Sequence, residues 1–373
     1  MPLYSASLTE AAREKFFGRG ELPTVELKQP ILRSWLRCAE LGFDVAKPPR
    51  AAALERTELQ TFLARHERLR RLCRPELDAL NAEAHETGAV VILADAQGVI
   101  VDAIGDMGFV AQAAEISLKP GAHWSEAAAG TNAIGAALAE RRAVAVHGGE
   151  HFFESHAILS GAAAPIVDPR GVVVGALALS ANAGVHRVHA LGLVRFAVEQ
   201  IEHRFFGGNA FSAATVLRFH TDPAVVGAPR EGLLAFDDDK RLIAANRRGL
   251  SFVQRDWSAL DSVSFDELFE PLRTAPQMAE IIGSDGRRYY GLANTPSSCR
   301  ARPTDCPLEL HDICFEPPSA RLAEHRLRDA ELSAMRAALD ACDGNFSKAA
   351  RVLGVHRSTL YRRLNERASE RAR

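Results

Sequence analysis

Three short runs in the first half of the chain carry side chains able to hold a small molecule: Trp124-Ser-Glu126, Gly130-Thr-Asn-Ala-Ile-Gly135 and Glu150-His-Phe-Phe153. Glu126, Thr131 and Asn132 supply hydrogen-bonding groups beside the apolar face of Trp124, and His151 and Phe152 add a second polar and aromatic pair. Such a mixture suits a partly apolar cavity with a few directing groups. Helix capping by Ser125 and Thr131 over core aromatics reads equally well from spacing alone. Gly130 and Gly135 are no dinucleotide fingerprint, because Gly-x-Gly is missing. His123, His147, His151 and His156 gather around Glu150 and Glu154, and the spacing His147-x3-His151-x4-His156 partly suits one helix face. A metal ion could sit there. Ordinary pocket or surface histidines are the preferred reading, and no metal ligand is assigned.

Other chemistries are excluded or weakened by what the chain lacks. A phosphate-cradling GxxxxGK[ST] loop needs a Gly-Lys pair. The six lysines, at 15, 28, 47, 119, 240 and 348, all follow residues other than glycine. No GxSxG, HExxH or kinase motif occurs either, so no catalytic residue is named and a non-enzyme is expected. Six cysteines stand at 38, 73, 299, 306, 314 and 342 with no CxxC pair, and read as reduced thiols. Cys299, Cys306, His311 and Cys314 are close in sequence but fit no common zinc spacing.

The far end of the chain offers different chemistry. From Asn345 to Arg373 there are eight basic residues and two acidic ones, +6 against a whole-chain net of -2, which leaves -8 on the rest. Leu332, Met335, Leu339 and Cys342 fall at helical intervals, and Gly344 suits a left-handed stop. Phe346, Ala349, Ala350 and Leu353 then fall at i, i+3, i+4 and i+7 behind Asn345 as a cap. Gly354-Val355 makes a turn, and a third helix from about His356 to Asn365 turns Leu360 and Leu364 inward, leaving Arg357, Thr359, Arg362 and Arg363 outside. Helix, glycine turn and basic helix together form a helix-turn-helix footprint for double-stranded DNA. A small solvated bundle would also carry such charges, but it leaves the turn pattern unexplained.

The elements that must position these groups follow from length and periodicity. At 373 residues the chain is long enough for two to four compact units, and 47% apolar with 25% charged residues is globular composition. The first 75 or so residues have helical spacing, broken at Pro30 and Pro48-Pro49, with Ile31, Trp35 and Cys38 on one face and Pro75 able to start a new helix. Four hairpins follow. The first joins Gly88–Ala94 to Val99–Asp102, and the second Ala162–Val167 to Val172–Leu179. The third joins Gly232–Phe236 to Arg241–Ala245, and the fourth Ala279–Gly283 to Arg287–Leu292. Helices are expected over Thr131–Arg142, His189–Phe206 and Arg247–Arg255. In the second, Leu191, Val194, Phe196, Val198 and Ile201 should be buried, and Arg195, Glu199 and Glu202 solvated. Two successive α+β units result. No signal peptide and no run near the roughly 20 apolar residues of a membrane span is visible, so a cytoplasmic protein without a membrane partner is expected.

The residues Gly344-Asn-Phe-Ser-Lys-Ala-Ala-Arg-Val-Leu-Gly-Val-His-Arg-Ser-Thr-Leu-Tyr-Arg-Arg-Leu364 resemble the Fis-type helix-turn-helix that ends many bacterial enhancer-binding activators. That resemblance implies that His356, Arg357 and Thr359 face bases or phosphates, that Arg362 faces a phosphate, and that Ser347 and Lys348 meet the backbone from the preceding helix; Ser358 and Arg363 complete the expected DNA-binding set. His356 departs from the Ser or Asn common there. Upstream, Ile31-x-x-Ser-Trp-x-Arg-Cys38, Trp124-Ser-Glu126 with Gly130–Gly135, Glu150-His-Phe152 and Ala164–Gly171 resemble the sensory half of acetoin-type activators of the sigma-54 class. The resemblance implies a GAF domain there, and Pro229–Phe236 with Ala244-Ala-Asn246 resemble the PAS-like domain that follows.

The expectation is thus a multidomain α+β chain. Residues 1–75 form a helical N-terminus, 76–207 a GAF sensor, 208–316 a PAS-like domain and 317–328 a linker; 329–373 form an all-α Fis-type helix-turn-helix. Trp124, Glu126, Thr131, Asn132, His151 and Phe152 are the expected contacts to an unidentified small-molecule effector; no cofactor is expected. The ATPase that such activators carry between sensor and reader has no counterpart here, only about a dozen residues. The expected protein is a homodimeric, effector-responsive DNA-binding regulator, with RNA polymerase a further partner if it recruits. A co-regulator of a full-length relative and a GAF-based small-molecule enzyme are the competing readings.

Overall fold

The computed structural model describes residues 2–48, 54–84, 88–105, 118–184, 189–207, 211, 214–270 and 278–294. All lie within the unit Met1–Glu309. The expected DNA-contacting residues Ser347, Lys348, His356, Arg357, Ser358, Thr359, Arg362 and Arg363 lie outside the described residues, as does the stretch holding Cys299 to Cys314.

Four helices open the chain: α1 (Pro2–Arg13), which runs into a π-helical turn at Glu14–Gly18, α2 (Gln29–Glu40), α3 (Arg56–Arg65) and α4 (Glu67–Ala84). Pro30 sits in the first turn of α2, where a missing N–H costs nothing. As the spacing predicts, Ile31, Trp35 and Cys38 are buried together. Pro75 departs from expectation, lying inside α4 rather than starting a helix. The buried row Leu69, Cys73, Leu77, Leu80 continues through it, so packing outweighs a cost of about 3 kcal/mol for an interior proline.

The first sheet contains β1 (Val90–Asp95), β2 (Ile100–Gly105), β3 (Val144–His147), β4 (Leu159–Val167) and β5 (Val173–Asn182) in the order β2-β1-β5-β4-β3, with every pairing antiparallel. Between β2 and β3 come the one-turn helix α5 (Glu126–Ala129) and α6 (Ala133–Glu140); α7 (Ala190–Arg204) follows β5. Alternate residues of β1 serve opposite faces. Val90, Ile92 and Ala94 join a core with Trp35, Trp124, Ile134 and Phe152. Val91 and Leu93 are equally buried on the side where α4 and α7 pack. A strand covered on both faces reads as a continuous apolar run, hence the unbroken Val90-Val-Ile-Leu-Ala94.

The second sheet contains β6 (Thr215–His220), β7 (Gly232–Phe236), β8 (Leu242–Ala245), β9 (Ala279–Ile282) and β10 (Arg288–Asn294), again antiparallel, in the order β8-β7-β6-β10-β9. The helices α8 (Arg247–Phe252) and α9 (Phe265–Leu268) lie among its connections. Its core is aromatic, with Phe219 edge-on to both Phe269 and Tyr289, and the Tyr289 hydroxyl donating to the Phe252 carbonyl at 2.9 Å.

One local device closes all four hairpins. An aspartate carboxylate accepts backbone N–H groups two or four residues on: Asp95 from Gln97 and Val99, Asp168 from Arg170 and Val172, Asp237 from Arg241, and Asp285 from Arg287. The left-handed position that follows is glycine in three of them, at 98, 171 and 286, and Lys240 in the third hairpin.

Helix α7 joins the two sheets, with two departures from the expected pattern. Val194, Val198 and Ile201 are buried, but Phe196 is 46% exposed and Glu202 only 6%. Phe196 lies off the row 194-197-198-201, whereas Glu202 follows Val198 by four and so falls on the buried side. Glu202 Oε1 accepts from Val167 N at 2.9 Å and from Arg247 Nε at 3.1 Å. At the next position, His203 Nε2 lies 2.8 Å from Oε1 of the fully buried Glu231, which also accepts from Arg218 Nε at 2.9 Å. The Asp168–Gly171 turn completes the join: Ala245 N donates to Pro169 O at 2.9 Å, and Arg170 Nη2 to Asp261 Oδ2 at 2.7 Å.

Gly171 has φ +82° and packs on Trp257, so that a methyl added there would come within 2.7 Å of the indole; Gly286, at φ +77°, faces open space. Gly286→Ala should therefore cost only the left-handed strain of about 1–2 kcal/mol, and Gly171→Ala measurably more. Urea unfolding of the two variants checks this, and equal losses would refute the contact.

Candidate functional site

The conspicuous residues of the first sheet converge on one place, but in two different roles. Trp124, Asn132 and His151 line a small cavity together with Ile92, Leu118 and Leu159. Its volume is about 20 Å³, room for roughly one water molecule. Glu126, Thr131 and Phe152 are not among its lining residues; they belong to the scaffold behind it.

That scaffold ties the N-terminal helices to the pocket wall. Arg37 on α2 donates from Nε to Glu126 Oε2 at 2.6 Å and from Nη2 to Glu126 Oε1 at 2.8 Å, while its Nη1 reaches Glu140 Oε1 at 2.9 Å. Burial favours neutral carboxyls, but the two-pronged guanidinium more than offsets that for Glu140, whose pKa is held below the usual range by Arg33 first and Arg37 second. Ser34 Oγ donates to Thr131 Oγ1 at 2.8 Å, and Trp35 Nε1 to Glu150 O at 2.7 Å. From α1, Arg13 Nη1 donates to the carbonyls of His151 at 2.8 Å and Gly149 at 3.1 Å.

Asn132, not Ser125 or Thr131, supplies the side-chain cap. Its Oδ1 accepts from Gly135 N at 2.9 Å, opening α6, and its Nδ2 donates to Gly130 O at 2.9 Å. Gly135 is required because a Cβ there would stand 2.7 Å from Glu126 N. Gly130 is packed as closely, a Cβ there meeting the Phe153 ring at 2.8 Å, so both glycines are packing residues.

The histidines have separate engagements. His147 Nδ1 lies 3.0 Å from Ser160 Oγ, His151 Nδ1 lies 2.9 Å from Gly148 O, and His156 stacks on Trp124 with ring centroids 5.4 Å apart. Facing a carbonyl, the His151 Nδ1 must carry the proton, leaving Nε2 as an acceptor. Among the described residues no group of three or more His, Cys, Asp or Glu could hold a metal ion. Burial pushes the pKa of His151 down to about 3 and that of His156 to about 4. The pocket wall therefore carries one uncharged imidazole at neutral pH, that of His151, and His156 stacks behind it on Trp124.

Arg13 and Arg37 are the contributors that motif reading passed over. Arg37 stands inside the Ile31–Cys38 element, one turn from Ser34, so a signal for it existed; Arg13 had none, because its hydrogen bonds go to backbone carbonyls far along the chain.

Residues 326–366 match the family model described as bacterial regulatory protein, Fis family, and residues 6–203 match that of the MimR N-terminal domain. The chain belongs to the MimR N-terminal domain family. It is 35% identical over 223 residues to the acetoin catabolism regulatory protein of Cupriavidus necator, covering 58% of this chain and 33% of that protein. It is 32% identical over 182 residues to the acetoin dehydrogenase operon transcriptional activator AcoR of Bacillus subtilis, covering 48% of this chain and 30% of that one. The chain thus spans about a third of the length of these relatives. Among solved structures, the Escherichia coli DhaR(N)–DhaL complex is similar at 15% identity and a TM-score of 0.45, over 71% of this chain and 99% of that one. Among the described residues no helix is long and apolar enough to cross a membrane.

The two buried histidines give a pH dependence with a definite sign. Their folded pKa values lie below the unfolded value near 6.5, so their stability is fully present above that value and is lost as pH falls through about 4 and about 3. His156→Gln should remove about 3 kcal/mol of the acid-induced loss between pH 6.5 and 4. Urea midpoints of wild type and variant at both pH values read this, and parallel curves would contradict a neutral buried imidazole.

Proposed function

We propose that this protein is a sequence-specific DNA-binding transcriptional regulator whose first sheet, read as a GAF domain, senses a small-molecule effector. The observation that carries the reading is the Fis-family match at 326–366, which overlaps the +6 segment Asn345–Arg373. Similarity to two acetoin regulators supports the regulatory role. The cavity supports the sensory one: apolar walls from Ile92, Leu118 and Leu159 surround Asn132 and a neutral His151. Such a lining favours a small uncharged molecule with a hydrogen-bond donor or acceptor. A space of one water's volume admits it only by opening, so the effector acts by selecting a wider conformation. The second sheet is read as the PAS-like domain, with the pairs from α7 carrying the change toward it.

The reader works by occupancy. With no lysine following a glycine, the chain has no phosphate-cradling loop for ATP. Bound DNA would then recruit RNA polymerase or obstruct it, and the protein would act in the cytoplasm. A homodimer places two recognition helices in successive major grooves, Arg357, Ser358, Thr359 and His356 toward base edges, and Arg362, Arg363, Ser347 and Lys348 toward phosphates.

Mobility shift of the intact protein on the promoter of its own operon tests this directly. A specific complex should form at moderate salt, and Arg357→Ala should weaken it by about 1–3 kcal/mol while leaving random DNA little affected. Absence of any specific complex would sink the regulator reading. An equal loss on random DNA would reduce Arg357 to a phosphate contact.

A further inference from the structure

Strand β4 outruns its neighbour. Its pairing with β3 ends at Ala163, so residues 164–167 have an open edge. Pro165 has no N–H to leave unpaired there. Its carbonyl accepts from Arg247 Nη2 at 2.9 Å, and Val167 N is satisfied by Glu202. Along this edge runs a cleft of about 300 Å³, at the small end of ligand sites. Its floor is Ala143, Ala164, Pro165 and Val198, and its charged walls are Arg142, Arg195 and Arg247 against Glu199 and Glu202.

Both carboxylates are already engaged, Glu199 with Arg248 at 2.8 Å and Glu202 with Arg247 and Val167 N. Arg142 and Arg195 have no carboxylate within ion-pair distance among the described residues, and both stand exposed at the cleft mouth. Guanidinium is the group suited to two-pronged capture of carboxylate or phosphate. We propose that this cleft is a second ligand site, distinct from the pocket at Trp124, and that it takes a small organic or inorganic dianion through Arg142 and Arg195 with Arg247 behind them. Burial pushes Glu202 up to about 7, so it opposes an anion less than an ordinary carboxylate would. The walls come from the first sheet, α7 and the start of α8, so a bound dianion would bridge the two sheets.

The test uses the full chain in calorimetric titrations and thermal shift with succinate, inorganic phosphate and neutral succinamide, with chloride holding ionic strength constant. Saturable binding of succinate or phosphate is expected, with no response to succinamide. A response to one alone names the dianion as carboxylate or phosphate, and a response to both defines a charge-only site. Arg142→Gln and Arg195→Gln lie on the surface and should each weaken binding roughly tenfold, whereas Glu202→Gln should tighten it severalfold. Binding that survives the double Arg142→Gln/Arg195→Gln variant would belong to the basic segment 345–373 and would overturn the cleft assignment. A chloride response equal to that of succinate and phosphate would do the same.

Discussion

A single carboxyl group, Glu202, decides how the described part of the molecule is put together. It is 6% exposed and touches three things at once: the helix it belongs to, the open edge of β4 and the guanidinium at the start of α8. Removing a carboxylate from water costs several kcal/mol, recovered only where hydrogen bonds and a counter-charge are in place. Here Val167 N and Arg247 supply both, yet desolvation still wins and raises the pKa to about 7. Because the folded value lies above the unfolded one, the contribution of Glu202 is fully present below about 4.3 and is lost as pH rises through about 7. The buried histidines have the opposite sign, so the sensor and the junction respond to pH in opposed directions.

The second constraint is the arginine clamp beneath the pocket. Trp35 and Cys38 share one core with Ile92 and Trp124, so the N-terminal helices are part of the same hydrophobic body as the first sheet. The family match over 6–203 spans both. Arg37 fixes Glu126 and Glu140, Trp35 holds the Glu150 carbonyl, and Arg13 holds those of Gly149 and His151. The pocket is therefore shaped from behind by charged groups and lined in front by neutral ones.

Much of this was legible in the chain, and the misses share a cause. Hairpins were readable because an aspartate turn is a local device, complete within five residues. Ile31, Trp35 and Cys38 were readable because a helical face is a property of spacing. Glu202 and Phe196 were misplaced because polarity was allowed to override position: 202 lies on the buried row, and its partners Val167 and Arg247 are 35 and 45 residues away. The ion pair of Glu126 was invisible for the same reason, its partner Arg37 standing 89 residues earlier. Pro75 shows the reverse case, where a strong local rule yields to a buried row on both sides of it. Motif residues mark a site; which of them face the cavity is settled by partners far along the chain.

Strand β5 connects these parts in one element. Near its end Ala178, Leu179 and Ser180 line the cavity, and its pairing with β1 runs the full length from Val90↔Ser180 to Asp95↔Gly175. Its other end begins just past the Asp168–Gly171 turn, which holds Ala245 of the second sheet and Asp261 of the connection after α8. The strand is closely seated at its start, where a methyl at Gly175 would stand 2.4 Å from the Ala94 carbonyl, and the interior is close-packed. An opening of the cavity that moved Ser180 would therefore displace the strand as a whole, or break its register with β1. Of the two, a rigid shift is the cheaper, since breaking register forfeits ladder hydrogen bonds whose groups have no water to turn to. The fold thus favours passing a displacement of Ser180 along β5 to the turn that grips the second sheet.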